Sequence, residues 1–236
     1  MTTYGEAGAL DWPRIRKLFV IGLCASLLTF VADMLLGWVD GLNSTGTVQG
    51  MVAAYSSISD TRMAASALMG LVGIFLTSLA YFGVYRLLVA GKSRHAHAFR
   101  AGVIGYLAFG ACGVHVPCLM AVYVYKHMAV LDAQAAWDAM VRFALYFMLP
   151  AFVLFVIFEF VMVIAQIRGF AEGDTPYPKW CAVLNIYTGM LLAVIISAIG
   201  GDTALFNGIF AAWISAGNVL TFAGLLATMP HAARKP

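Results

Sequence analysis

Apolar residues gather in six long runs along this chain, at about 18–39, 63–88, 101–125, 143–167, 181–200 and 204–229. The connections are 40–62, 89–100, 126–142, 168–180 and 201–203, with a tail at 230–236. About 20 residues at a helical rise of 1.5 Å cross the hydrocarbon core of a bilayer, so each run predicts a transmembrane helix. Within the runs the polar positions recur at helical intervals. Gly22, Ser26, Thr29, Asp33 and Gly37 make one stripe in the first run; Arg62, Ser66, Gly70, Gly73, Thr77 and Tyr81 make another through the second. Gly105, Ala108, Cys112 and His115 predict a stripe in the third, and Asn207, Ala211, Ser215 and Asn218 in the sixth. Small residues let helices approach closely in lipid, so helix–helix packing is the plain reading of such stripes. That reading leaves Asp33 and His115 unexplained, because neither is needed for packing and each is costly in hydrocarbon, about 2.5–3.5 kcal/mol for an acid on insertion scales.

Composition agrees with the pattern. Of 236 residues, 62% are hydrophobic and 11% charged, far below the roughly 25% charged residues of a soluble domain. The expected fold is all-α: a polytopic membrane protein in which residues 1–236 form a single bundle of six transmembrane helices. Charge placement predicts its orientation. Arg14, Arg16, Lys17, Arg86, Lys92, Arg94, Arg100, Arg168, Lys179, Arg234 and Lys235 fall on one side of six crossings, and Arg62, Lys126 and Arg142 on the other. The positive-inside rule then puts both termini in the cytoplasm of an inner membrane, with Trp12, Trp38, Trp137 and Trp180 as interfacial anchors. The basic segment before the first run resembles the start of a signal peptide, but the run is long and no small-residue cleavage site follows, so an uncleaved signal-anchor is expected.

Several function classes fall away. No basic run with interleaved aromatics suggests nucleic acid. Cys24, Cys112, Cys118 and Cys181 form no closely spaced redox pair and read as packing residues. No lysine inside a run serves a retinal Schiff base, and no second histidine at matching depth serves haem. No cofactor is expected, and no recognised spacing supports a metal. The sequon Asn43-Ser44-Thr45 is read as a chance occurrence, and Gln49 to Ser59 as a short helix lying on the outer surface.

Depth gathers the candidate chemistry. Asp33 and His115 lie fifteen and fourteen residues into their runs, about 22 and 21 Å from the inner end. Asp60 and Arg62 lie at the outer mouth of the second run, Asp202 and Asn207 at that of the sixth, and Tyr123 two turns beyond His115. The expectation is one pocket opening outward. Asp33, His115 and Asp60 would do acid–base work there, with Arg62, Tyr81, Tyr123, Asn207, Asn218 and Asp202 binding the substrate. Gly113 and Pro117 predict a kink beside His115. Glu159 is a further buried acid, read either as an ion pair with Arg86 or as a proton relay. The expected partners are the bilayer and an amphipathic, lipid-like or isoprenoid molecule that is isomerised, cyclised or hydrolysed. A small-solute, ion or proton-coupled transporter or channel and an accessory membrane subunit are the alternatives, and the oligomeric state stays open.

The stretch Ala32-Asp33-Met34-Leu35-Leu36-Gly37-Trp38, with Arg62, Leu68-Met69-Gly70-Leu71-Val72-Gly73 and Gly113-Val114-His115, resembles a family of bacterial multispan membrane proteins of unknown function. The resemblance covers the first half of the chain. It implies a polytopic fold and supplies no activity.

Overall fold

A computed structural model describes residues 10–42 and 46–234. The sequon and Lys235 lie outside the described residues. Those residues form helices and no strand. Four continuous helices are long and apolar enough to cross a membrane: Trp12–Gly37, Asp60–Ala90, Ala96–Ala129 and Ala133–Glu172. A fifth, Ala204–Ala211 followed by Trp213–Ala232, qualifies only as a pair bent by 70°. The remaining apolar helix, Ile186–Gly200, has 15 residues, about 22 Å, and is short of the roughly 30 Å core by itself. The six predicted runs therefore all become helical, while four to five of them are candidate spans.

In chain order the elements are α1 (Trp12–Gly37), α2 (Val48–Tyr55), α3 (Asp60–Ala80), α4 (Phe82–Ala90), α5 (Ala96–Phe109), α6 (Val116–Ala129), α7 (Ala133–Phe143), α8 (Leu149–Glu172), α9 (Ile186–Gly200), α10 (Ala204–Ala211) and α11 (Trp213–Ala232). Helix α1 packs on α3 and α11, α5 on α8, and α9 on α11. Helix α2 is the predicted surface helix, and its Val52 packs with Ala121, Tyr125 and Ala136.

Helix α1 owes its central position to its stripe. Gly22, Ser26, Thr29 and Gly37 are buried. The ring of Phe222 stands where a Gly22 side chain would be, and Ala211 and the Asn207 carbonyl crowd Gly37. On the facing helix, Gly73 meets Thr29 and the Ala25 carbonyl, and the Ser66 hydroxyl donates to the Ala32 carbonyl at 2.7 Å. Such cross-helix hydrogen bonds and close backbone contacts hold helices together where no hydrophobic force drives them.

The third run departs from regular helix. Gly110–His115 is a π-helical segment, in which Val116 donates back to Ala111 rather than to the residue four before it. Pro117 follows at once and has no amide to give. The predicted kink is thus a one-residue bulge, the usual form of a π segment inside an α-helix. It breaks the predicted third stripe: Ala108 and Cys112 are exposed, while Tyr106, Gly110, Ala111 and His115 are buried. The sixth run breaks as well, at Ala212, and the break separates Asn207 from Ser215 and Asn218.

Candidate functional site

Asp33 and His115 face each other. His115 Nδ1 lies 3.2 Å from Asp33 Oδ1, with the side chains only 9% and 15% exposed. His115 Nε2 lies 3.0 Å from the Ser66 carbonyl oxygen. A carbonyl accepts only, so Nε2 must carry a proton. The Asp33–His115 contact then holds one proton, either on Nδ1 as imidazolium beside carboxylate, or on Oδ1 as carboxylic acid beside neutral imidazole. The other carboxyl oxygen, Oδ2, lies 2.7 Å from Ser215 Oγ. That hydroxyl also stands 2.9 Å from the Ala212 carbonyl, and its single proton serves one acceptor at a time.

Three local features set this geometry. Gly70 leaves room for the imidazole, because a side chain there would overlap Nε2. The π segment sets the phase of His115: Tyr106 and His115 are nine residues apart, which in regular helix puts them on opposite faces. One extra residue taken up by the bulge brings them to within about 80° of each other. The break at Ala212 starts α11 beside Asp33, and first-turn amides have no intrahelical partner and favour negative charge nearby. Non-helical backbone at membrane depth is tolerated where it lines a cavity.

There is such a cavity, of about 210 Å³. Asp33, His115, Ser215, Thr29, Tyr106 and Asn218 form its polar side; Phe152, Phe155, Trp213, Ile74 and Leu36 are among its apolar walls. Behind it the Tyr81 hydroxyl donates to Asn218 Oδ1 at 2.7 Å, and Asn218 Nδ2 donates to the Tyr106 hydroxyl at 2.9 Å. Tyr106, having accepted that bond, still has its own proton to give, and it lines the cavity.

Of the residues expected to converge, Asp33, His115 and Asn218 do so, and Tyr81 stands one hydrogen bond behind them. The others do not line the cavity, and the expected single outer pocket is corrected accordingly. Asp60 is at the surface, bonded to Lys126 at 2.8 Å and His127 at 3.1 Å. Tyr123 is exposed and packs its ring on His127. Arg62 pairs neither with Asp60 nor with the cavity: its Nε donates to the Leu35 carbonyl and its Nη2 to the Trp38 carbonyl at 2.7 Å, closing the end of α1. Asn207 bonds Asp202 at 2.7 Å and the Val39 carbonyl at 2.8 Å, beside a separate surface hollow. The Glu159–Arg86 ion pair does not form; Glu159 Oε1 is buried with no hydrogen-bond partner.

Sequence reasoning missed Tyr106 as a site residue. Regular-helix counting turns it away from His115, and only the bulge returns it. Ser215 stood in a predicted stripe and Ser66 in another, and both carry site contacts. Among the described residues no three His, Cys, Asp or Glu side chains gather as metal ligands would.

Neither curated proteins nor solved structures yield a match to this chain. A family profile does match, over residues 1–232, so the match extends well past the first half of the chain. The chain therefore belongs to DUF6796, a family of unknown function.

Proposed function

We propose that this is a multi-pass protein of a bacterial inner membrane whose Asp33–His115 cavity takes an amphipathic, lipid-like small molecule and moves protons on it. The carrying observation is the one-proton Asp33–His115 pair on the wall of a cavity that is otherwise largely apolar. A pair of this kind gives a proton to one atom of a ligand and takes one from another. An isomerisation run this way balances in protons and needs no oxidant or reductant. The Tyr106 hydroxyl, oriented by the Asn218 amide that donates to it, supplies a neutral hydrogen bond to a developing charge.

Size favours a partly inserted ligand. Drug-sized ligands fill pockets of about 300–1,000 Å³, whereas this one holds about 210 Å³. It suits a head group or a short isoprenoid unit whose tail stays in lipid. Phe152 on α8 and Trp213 on α11 both line the cavity and are each 37% exposed, which supports access from the membrane side.

Six crossings with cytoplasmic termini remain the best reading of the arginine and lysine segregation. A short apolar helix crosses where the bilayer thins locally, so the 15 residues of α9 supply the fifth crossing and the bent α10–α11 pair the last. In this orientation the cavity lies in the outer half.

Photolabelling tests the reading. An isoprenoid carrying a diazirine, added to the protein in native-like membranes, should label peptides containing Phe152 or Ser215. Val114→Phe, which fills the cavity, should remove that labelling and spare labelling of the lipid-facing surface. Equal labelling in wild type and variant would overturn the proposal.

A further inference from the structure

Glu159 stands apart from the cavity, in the middle of α8. It is 3% exposed, and its Oε1 has no hydrogen-bond partner. One turn before it, Phe155 packs on Tyr106 with ring centroids 5.1 Å apart. About one turn after it, Met162 fills the space beside Gly102. The carboxyl thus sits between two contact points of α8 with α5. The ionisable groups close enough to interact electrostatically with it are Tyr106 on α5, Tyr81 at the end of α3 and Tyr187 on α9. No lysine, arginine or histidine pairs with it among the described residues. Tyr106 lines the cavity together with Asp33 and packs on Phe155, one turn from Glu159, so one side chain touches the surroundings of both buried acids.

An unpaired carboxylate in hydrocarbon is costly, whereas a neutral carboxylic acid needs only an acceptor for its proton. A residue that keeps such a group must use the exchange between the two forms or satisfy it otherwise. The hydrogen bonds nearby run one way. Tyr81, Asn218 and Tyr106 form a chain that ends on the cavity wall. In the other direction along α8 the next polar side chain on this face is Gln166, seven residues on, or about 10.5 Å. Its amide is turned to the Leu184 carbonyl at 2.8 Å. Met162 and Val163, both 0% exposed, fill the interval. That apolar stretch argues against a conduit through the whole bundle and for exchange with the cavity alone.

We propose that Glu159 is a proton-binding site that loads and unloads through Tyr106 into the Asp33–His115 cavity, acting as a proton store for it. This rests on the reading of Asp33–His115 as a proton-exchanging pair. Only a proton moves: Glu159 Oε1 has no hydrogen-bond partner, so the carboxyl first turns to the Tyr106 oxygen and releases the proton there as Tyr106 passes its own proton to the cavity, and reloading reverses the path.

Infrared difference spectra of the full chain in detergent, taken across a pH titration, test this without any ligand. Wild type should show a pH-dependent carboxylic acid C=O band that Glu159→Gln lacks and Glu159→Asp retains at a displaced position. In Asp33→Asn the midpoint of that band should move down by about one pH unit, the scale of coupled titrations, because no negative charge develops at residue 33. Tyr106→Phe keeps both carboxyls and should slow deuterium exchange at Glu159 several-fold. A band unchanged in Glu159→Gln, a midpoint unmoved in Asp33→Asn, or wild-type exchange in Tyr106→Phe would each overturn the inference. Loss of coupling with cavity photolabelling intact refutes the store alone; coupling intact with no photolabelling refutes the lipid-like ligand alone.

Discussion

The ring of His115 occupies the volume that any side chain at Gly70 would need. The two positions therefore share one space across the α3 interface. Gly70→Ala should displace the imidazole, break its contacts with Asp33 and Ser66, and destabilise the protein by about 1–3 kcal/mol, as overpacking does. Adding Gly70→Ala to His115→Ala should cost almost nothing more, since the ring is already gone. A double-mutant cycle read by thermal unfolding in detergent measures this coupling; additive effects would refute the shared-space account.

Asp33 is in hydrogen-bond contact with two partners, His115 and Ser215, and its replacement should depend on what is kept. Asp33→Asn retains an acceptor for Ser215 and a donor for His115 Nδ1, and should lower stability by about 1 kcal/mol. Asp33→Leu strands both groups and should cost about 3–5 kcal/mol. Neither should support proton exchange on a cavity ligand. Equal loss of stability in the two variants would show that the hydrogen bonds contribute little.

Cys112 faces outward at the centre of the π segment. Cys112→Ala should leave fold and ligand labelling unchanged. Deleting Cys112 removes the extra residue and restores regular helix, with Tyr106 and His115 about eight residues apart and still within about 80° of each other. Asp33 then keeps its partner, and cavity labelling and helix content by circular dichroism should both hold. Lost labelling in the deletion would mean that the bulge does more than set the phase of the histidine.

Arg62 closes α1 through two carbonyls, and its removal should loosen that end. Arg62→Met should destabilise by about 1–3 kcal/mol through loss of charge-assisted bonds. It should also speed amide exchange around Leu35 and Trp38. Asp60→Asn breaks only exposed pairs and should change stability little. A larger effect at residue 60 than at residue 62 would reverse these assignments.

Much of the architecture was legible in the chain. Run lengths located the cores of the long helices, although Ala133–Phe143, read as part of a connection, is helical and leads straight into α8; the stripes of α1 and α3 named the residues that pack, because regular helices obey simple counting. The meeting of Asp33 and His115 was readable from cost and depth together. The third stripe failed where counting fails: one extra residue at 110–115 changes which side chains share a face, and Gly113 with Pro117 signalled only a bend. The outer polar residues failed for another reason. Asp60, Arg62, Asp202 and Asn207 lie near helix ends, where unsatisfied carbonyls and exposed partners compete for them. Depth alone does not say which competitor wins.

The bend at Ala212 has one more consequence. At the turn between Ala211 and Trp213 the Ala212 amide still reaches Gly208 and its carbonyl takes the Ala216 amide, so the elbow bends the chain without breaking its ladder there. It also fixes where the Ser215 hydroxyl stands between the Ala212 carbonyl and Asp33. Straightening that elbow would carry the hydroxyl away, so the fold ties one partner of its buried aspartate to an interruption in its own last helix.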